Sequence, residues 1–182
     1  VNWTASDSSL TKTTEYKINS GEWISITSNT GSSAPTITVK VGDKIQFRGN
    51  NTAYSNEYAS SSTFSGSTAE FEVEGNIMSL INSENFATLT TLESGFTFAN
   101  LFSDCTGLTS AENLILPSTT LTQYCYSGMF YGCTSLNYIK CLATDISASD
   151  CTSVWVNGVA ATGTFVKNPS MSEWTTGISG IP

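Results

Sequence analysis

With 182 residues, 39 % of them hydrophobic and only 12 % charged, the chain has the length and apolar content to bury a core, which excludes a disordered polymer. Its formal charge of −8 is unevenly laid: residues 1–48 hold five of the seven bases against four acids, residues 49–182 hold two against eleven, so nucleic acid and anionic membranes are poor partners. Having no histidine, it lacks the commonest general base at neutral pH, every Ser–His or Cys–His nucleophile pair, and the commonest transition-metal ligand.

In chain order, Val1 to Leu10 is polar and turn-rich, and a start without Met or a signal-like apolar stretch reads as that of a processed or excised segment. From Thr14, Tyr16 and Ile18 alternate with polar residues, Asn19-Ser20-Gly21 makes a turn, and Trp23-Ile24-Ser25-Ile26 resumes, which predicts a hairpin. After a Ser/Gly/Asn loop, Ile37, Val39 and Val41 share one face of a further strand. Gly42-Asp43 then turns the chain into Lys44 to Arg48. Thr52 to Ser67 reads as a long loop with one short strand near Phe64. Ala69 to Gly75 alternates strictly: Glu70, Glu72 and Glu74 share one face, a geometry able to hold calcium, but a half-solvated strand explains it without an ion. Short strands at this spacing predict an antiparallel domain of the Ig-like sandwich type over residues 1–76. Ile77 to Leu92, with Met78, Leu80, Ile81 and Phe86, predicts a helical turn or a cap over the second half of the chain.

That second half repeats itself. Leu101 to Leu108, LFSDCTGL, is echoed by Met129 to Leu136, MFYGCTSL, with Cys105 and Cys133 separated by 28 residues. Self-similarity at such a period is the mark of stacked repeats. The echo extends to Leu114-Ile115-Leu116 against Ile139-Lys140-Cys141, and to Leu121–Cys125 against Ile146–Cys151; Leu92 to Phe102 looks like a worn earlier copy. One unit reads as a turn or small helical segment carrying the Phe and Cys, a loop, then a brief strand. Stacked units bury their faces only against neighbours, so the array needs sealing at both ends. Trp155, Val156, Val159, Phe165, Val166, Met171 and Trp174 supply apolar mass for an irregular C-terminal cap with a hairpin around Gly158 to Val166.

Met129 to Leu136 and Leu101 to Leu108 resemble the leucine-rich repeats of the BspA-like type, found in surface proteins of gut and oral Bacteroidetes and in some protists. The resemblance covers roughly Leu92 to Val156. It implies a surface location and recognition of macromolecules on host or neighbouring cells. The expected fold is therefore mainly β with short helices, a sandwich-type domain over 1–76 followed by a short leucine-rich-repeat-like solenoid with a C-terminal cap over 77–182.

Five cysteines, Cys105, Cys125, Cys133, Cys141 and Cys151, fall in the repeat half at spacings of 20, 8, 8 and 10. Without a CxxC pair they make a poor zinc site, and an odd number leaves any disulfide set incomplete; aligned, buried free thiols are the better reading. No metal or other cofactor is expected. The close carboxylate pairs, Asp145 with Asp150 and Asp104 with Glu112, are the only ones in the repeat half on which a histidine-free glycosidase would rest, and nothing in the sequence places either in a cleft. The sequons at Asn2 and Asn50 carry no weight in so Ser/Thr-rich a chain. What remains is surface: with Leu114, Leu116, Ile139 and Cys141 pointing inward, Asn113, Ile115, Tyr138 and Lys140 point out on the strand face that repeat proteins use for binding, with Tyr131 nearby. The expected function is a non-enzymatic extracellular binding or adhesion module, on the cell surface or secreted, that takes a protein or glycan partner and spans no membrane. The alternatives are a phage virion structural or decoration protein and, behind it, a carbohydrate-binding module using Trp3, Trp23 or Trp174 as a stacking platform.

Overall fold

The structure, a computed structural model, describes residues 2–4, 13–27, 36–55, 62–65 and 69–182. Among these the chain is mainly strands, gathered in small sheets, with two short 3-10 turns at Ile77–Leu80 and Phe86–Thr88 as its helices and no closed barrel. Among the described residues no helix is long and apolar enough to cross a membrane.

Strand β1 (Asn2–Thr4) lies at the start of the chain, most of which, through residue 12, falls outside the described residues. The expected hairpin forms from β2 (Thr13–Ile18) and β3 (Ile24–Thr27), antiparallel with Tyr16 opposite Ile24, and Asn19 takes the left-handed conformation at the bend. Strand β4 (Ile45–Gly49) joins the other side of β2, giving the order β3-β2-β4. The expected strand through Val41 does not form. Ile37 is buried, but Val41 stands fully in solvent at the tip of a turn, where Asp43 N–H donates to Lys40 O at 3.1 Å and the Asp43 carboxylate accepts from Lys40 N–H at 2.8 Å. These local bonds outweigh the alternation, because a side-chain oxygen that caps a turn competes directly with the sheet ladder.

Between the later strands the backbone follows another rule. Three segments, 96–104, 124–132 and 150–158, are trains of overlapping turns in which every fourth residue is left-handed: Phe96, Asn100, Asp104; Tyr124, Gly128, Gly132; Asp150, Val154, Gly158. An α-helix would spend each N–H on its own fourth-preceding carbonyl. Here Ala99, Leu101 and Ser103 of the first train bond back three positions, as Leu101 N–H does to Phe98 O at 3.2 Å. The even-numbered residues bond sideways to the next train: Phe98 to Cys125, Asn100 to Ser127, Phe102 to Met129 and Asp104 to Tyr131, all at 2.7 to 2.9 Å. The second train repeats this toward the third, Tyr126 to Cys151 through Gly132 to Asn157. Asn, Asp and Gly fill most left-handed positions because they tolerate that conformation. At Gly132 a Cβ would also stand 2.2 Å from the Asp104 carboxylate.

Residues before the first train join the same ladder. Tyr54 N–H donates to Thr97 O and Phe64 N–H to Leu101 O, both at 2.8 Å. Phe64 sits in β5 (Thr63–Ser65), which pairs antiparallel with β1 and confirms the short strand expected near it. Strand β6 (Phe71–Asn76) was expected among the antiparallel strands; it pairs instead in parallel with β7 (Leu108–Ile115), through two register shifts. Strand β8 (Tyr138–Cys141) pairs in parallel with β9 (Thr164–Lys167), and Asn137 N–H reaches Thr109 O at 3.1 Å beside β7. The hairpin expected around Gly158 to Val166 is therefore absent: Gly158 ends the third train and Phe165-Val166 continue the parallel strand series.

Two lines of rings run along the stack. Tyr54, Phe98 and Tyr126 lie 6.3 and 6.2 Å apart. Phe47 of β4 meets Phe64 edge-on at 4.7 Å, and Phe64, Phe102, Phe130, Trp155 and Trp174 follow at 5.4 to 6.1 Å. Each such pair adds about 0.5–1.5 kcal/mol to the burial of the rings themselves. The C-terminal residues seal the far end: Val154 and Val156 N–H, the next sideways donors, find Ser179 Oγ at 2.9 Å and Ile178 O at 3.1 Å, and Trp155 Nε1–H donates to Gly180 O at 2.9 Å.

Candidate functional site

The inward and outward assignment of the strands holds. Leu114, Leu116, Ile139 and Cys141 are buried, each 5 % exposed or less, while Asn113 and Ile115 are exposed and Tyr138 and Lys140 are partly so. Burying aliphatic side chains at about 25 cal/mol per Å2 fixes this register, since a one-residue slip would turn the whole set to water. Pairing extends the row. Glu74 of β6 stands opposite Asn113, Asn76 opposite Ile115, Tyr138 opposite Thr164 and Lys140 opposite Val166. The face thus passes from carboxylates at β6, through an amide and an aliphatic side chain at β7, to a phenol and an ammonium at β8.

Glu74 also meets Lys44, reaching over from beside the N-terminal sheet. Tyr131 lies outside this row. It sits in the second train, 42 % exposed, with its carbonyl accepting from Asp104 N–H at 2.7 Å. Leu142, directly after β8 and 43 % exposed, extends the strand row beside Ile115 in kind, and the sequence reading missed it. Its only signal was an aliphatic residue following an inward Cys.

Chemistry elsewhere is muted. The five cysteines are buried and unbridged. Cys105 Sγ donates to Phe64 O at 3.1 Å and Cys133 Sγ to Phe102 O at 3.0 Å, the same contact one turn of chain later. Burial pushes the thiols up, Cys105 to about 11 and Cys125, Cys133 and Cys141 to about 12, so each stays a neutral thiol near pH 7 and a poor nucleophile. Asp145 is held below the usual carboxylate range by bonds from Ser147 N–H and Oγ–H, at 3.0 and 2.7 Å, and Asp150 accepts from Ser149 Oγ at 2.8 Å. Among the described residues no three His, Cys, Asp or Glu side chains converge as metal ligands do. No family model, curated protein or solved structure matches the chain. Of the tryptophans named as stacking platforms, Trp174 is buried against Trp155 at 5.4 Å, and the Trp3 side chain lies outside the described residues. Trp23 is half-buried, with two cations over its ring.

Proposed function

We propose that this chain is a non-enzymatic extracellular binding or adhesion module, displayed on a cell surface or secreted. In this reading the stacked turns are a short leucine-rich-repeat-like array of the BspA-like kind, and the outward strand row is its recognition face. The observation that carries it is the equivalence of the two octets: Phe102 lies parallel to Phe130 at 5.7 Å and 5°, and their cysteines make one contact in successive turns. An array built so leaves a strand face whose outward side chains are free to vary without touching the core. The sandwich-type N-terminal domain of the same reading rests on the sheets β3-β2-β4 and β1-β5, which touch where Phe47 meets Phe64.

The partner is a protein or glycan on another cell. The test applies the labelled chain to panels of epithelial cells, bacterial cells and matrix proteins, beside the double variant Tyr138→Ala with Lys140→Glu. Binding that falls at least tenfold in the variant, with an unchanged melting temperature, supports the strand row as the site. Equal binding by both chains, or none on any panel, rejects it.

A further inference from the structure

The outward face of β3-β2-β4 carries a cluster that neither the core nor the strand row uses. Register sets Glu15 opposite Arg48 and Ser25, and Lys17 opposite Gln46. Alternate residues share a face, so these stand together, while Tyr16, Ile18, Ile45 and Phe47 turn the other way onto the core. Trp23, one residue ahead of β3, joins them: the Arg48 guanidinium carbon lies 4.1 Å and Lys17 Nζ 4.9 Å from its ring centroid. Arg48 Nε donates to Glu15 Oε2 at 2.7 Å.

Two cations thus lean on one indole, and among the described residues only Arg48 of the two is paired with a carboxylate, in a chain whose residues 49–182 hold two bases against eleven acids. Cation–π attraction of about 0.5–1 kcal/mol each holds them there against their mutual repulsion, and an arriving anion would relieve that repulsion. Beside the charges stand the exposed Gln46 amide and Ser25 hydroxyl, able to bond hydroxyl groups, and the half-buried indole adds the apolar ring surface that the two cations leave uncovered. Charge alone would suit any anion. Charge joined to a flat ring, an amide and a hydroxyl suits a sugar that carries an acid.

We propose that this face binds an acidic saccharide, its carboxylate held between Lys17 and Arg48 and its pyranose ring against Trp23. The site lies on a different sheet from the strand row and stands or falls independently of it. The experiment is isothermal titration calorimetry of the whole chain with tetragalacturonic acid at low salt, with neutral maltotetraose and tetraglutamate as comparators. Tetragalacturonate should bind, weaken at least tenfold in Lys17→Gln and in Trp23→Ala, and weaken again as salt is raised; maltotetraose should not bind. Lys17 takes part in neither ion pair of the described residues, so Lys17→Gln should keep the melting temperature and isolates recognition from folding. No heat with tetragalacturonate, or equal affinity in both variants, overturns the proposal. Tetraglutamate binding as tightly as the sugar overturns it too, in favour of an acidic peptide.

Discussion

The β2–β3 hairpin closes its hydrogen bonds between residues 8 to 14 apart, although β4 joins β2 across 27 to 35 residues, whereas each turn train bonds to no nearer partner than a train 25 to 27 residues away. The hairpin is therefore local, and alternation in the sequence reveals it. The trains own half a ladder each and are stable only as neighbours, so their stability is shared along the stack. Tyr54 joins the two regimes: its buried hydroxyl donates to Leu80 O at 2.8 Å and meets Asn51 Nδ2 at 2.7 Å and Thr14 Oγ1 of β2 at 3.3 Å.

The most damaging way to break this arrangement is to remove residues 1–76. That strips Tyr54 and Phe64 from the ring lines and β6 from β7, and the remaining chain should show no cooperative thermal transition by circular dichroism. A folded 77–182 fragment would show instead that the trains seal themselves. High pH should come next. Thiols that ionise near 9.0 when unfolded are held up to about 11 or 12 when folded, so between those limits the folded state keeps protons that the unfolded state has lost. Stability is then full below pH 9 and falls as pH rises toward 12, by about 1.4 kcal/mol per unit for each such thiol. Urea midpoints measured across that window should decline, and less steeply in Cys125→Ala.

Within the stack, Phe130→Ala should cost about 3–5 kcal/mol, since the ring is fully buried between Phe102 and Trp155. Gly163→Ala should cost less, about 1–3 kcal/mol, because the new methyl would stand 2.2 Å from Asn137 O, whose carbonyl accepts from Thr164 N–H at the start of the β8–β9 pairing. Both are read from urea denaturation. A Phe130→Ala penalty no greater than that of Gly163→Ala would mean that the ring line is not what binds one train to the next.

How much of this is visible in the sequence depends on the same contrast. The β2–β3 hairpin and the inward set Leu114, Leu116, Ile139 and Cys141 come from strand alternation, and the equivalence of Cys105 with Cys133 from the 28-residue echo of one octet in the other. Phe64 was not visible as a member of the Phe102–Phe130 line, because it lies 38 residues before Phe102 rather than 28. Strand β9 was misread as half a hairpin, since a parallel partner leaves no turn signal between the strands. Gly128, Gly132 and Gly158 hinted at left-handed positions, but Phe96, Tyr124 and Val154 occupy the same columns without any local cue. They are held there by the sideways ladder, and Phe96 and Tyr124 also by stacking on each other at 4.6 Å. Of the outward row, the strand positions were legible from alternation, and Tyr131 was placed near it only by closeness in sequence.

The smallest effect on stability falls in the sheet and is also the one that bears on the saccharide face. Glu15→Gln removes the carboxylate that holds Arg48, a pair whose side chains are 26 % and 34 % exposed, so water and salt already screen much of it. The cost should be about 0.2–1 kcal/mol, visible as a small shift in the urea midpoint. Its effect on recognition has the opposite sign. With that negative charge gone, Lys17 and Arg48 present two positive charges over Trp23 without a competing anion, and tetragalacturonate should bind more tightly than to the unaltered chain. If Glu15 instead orients the guanidinium for the ligand, affinity falls along with stability, and Arg48 acts through its position rather than its charge.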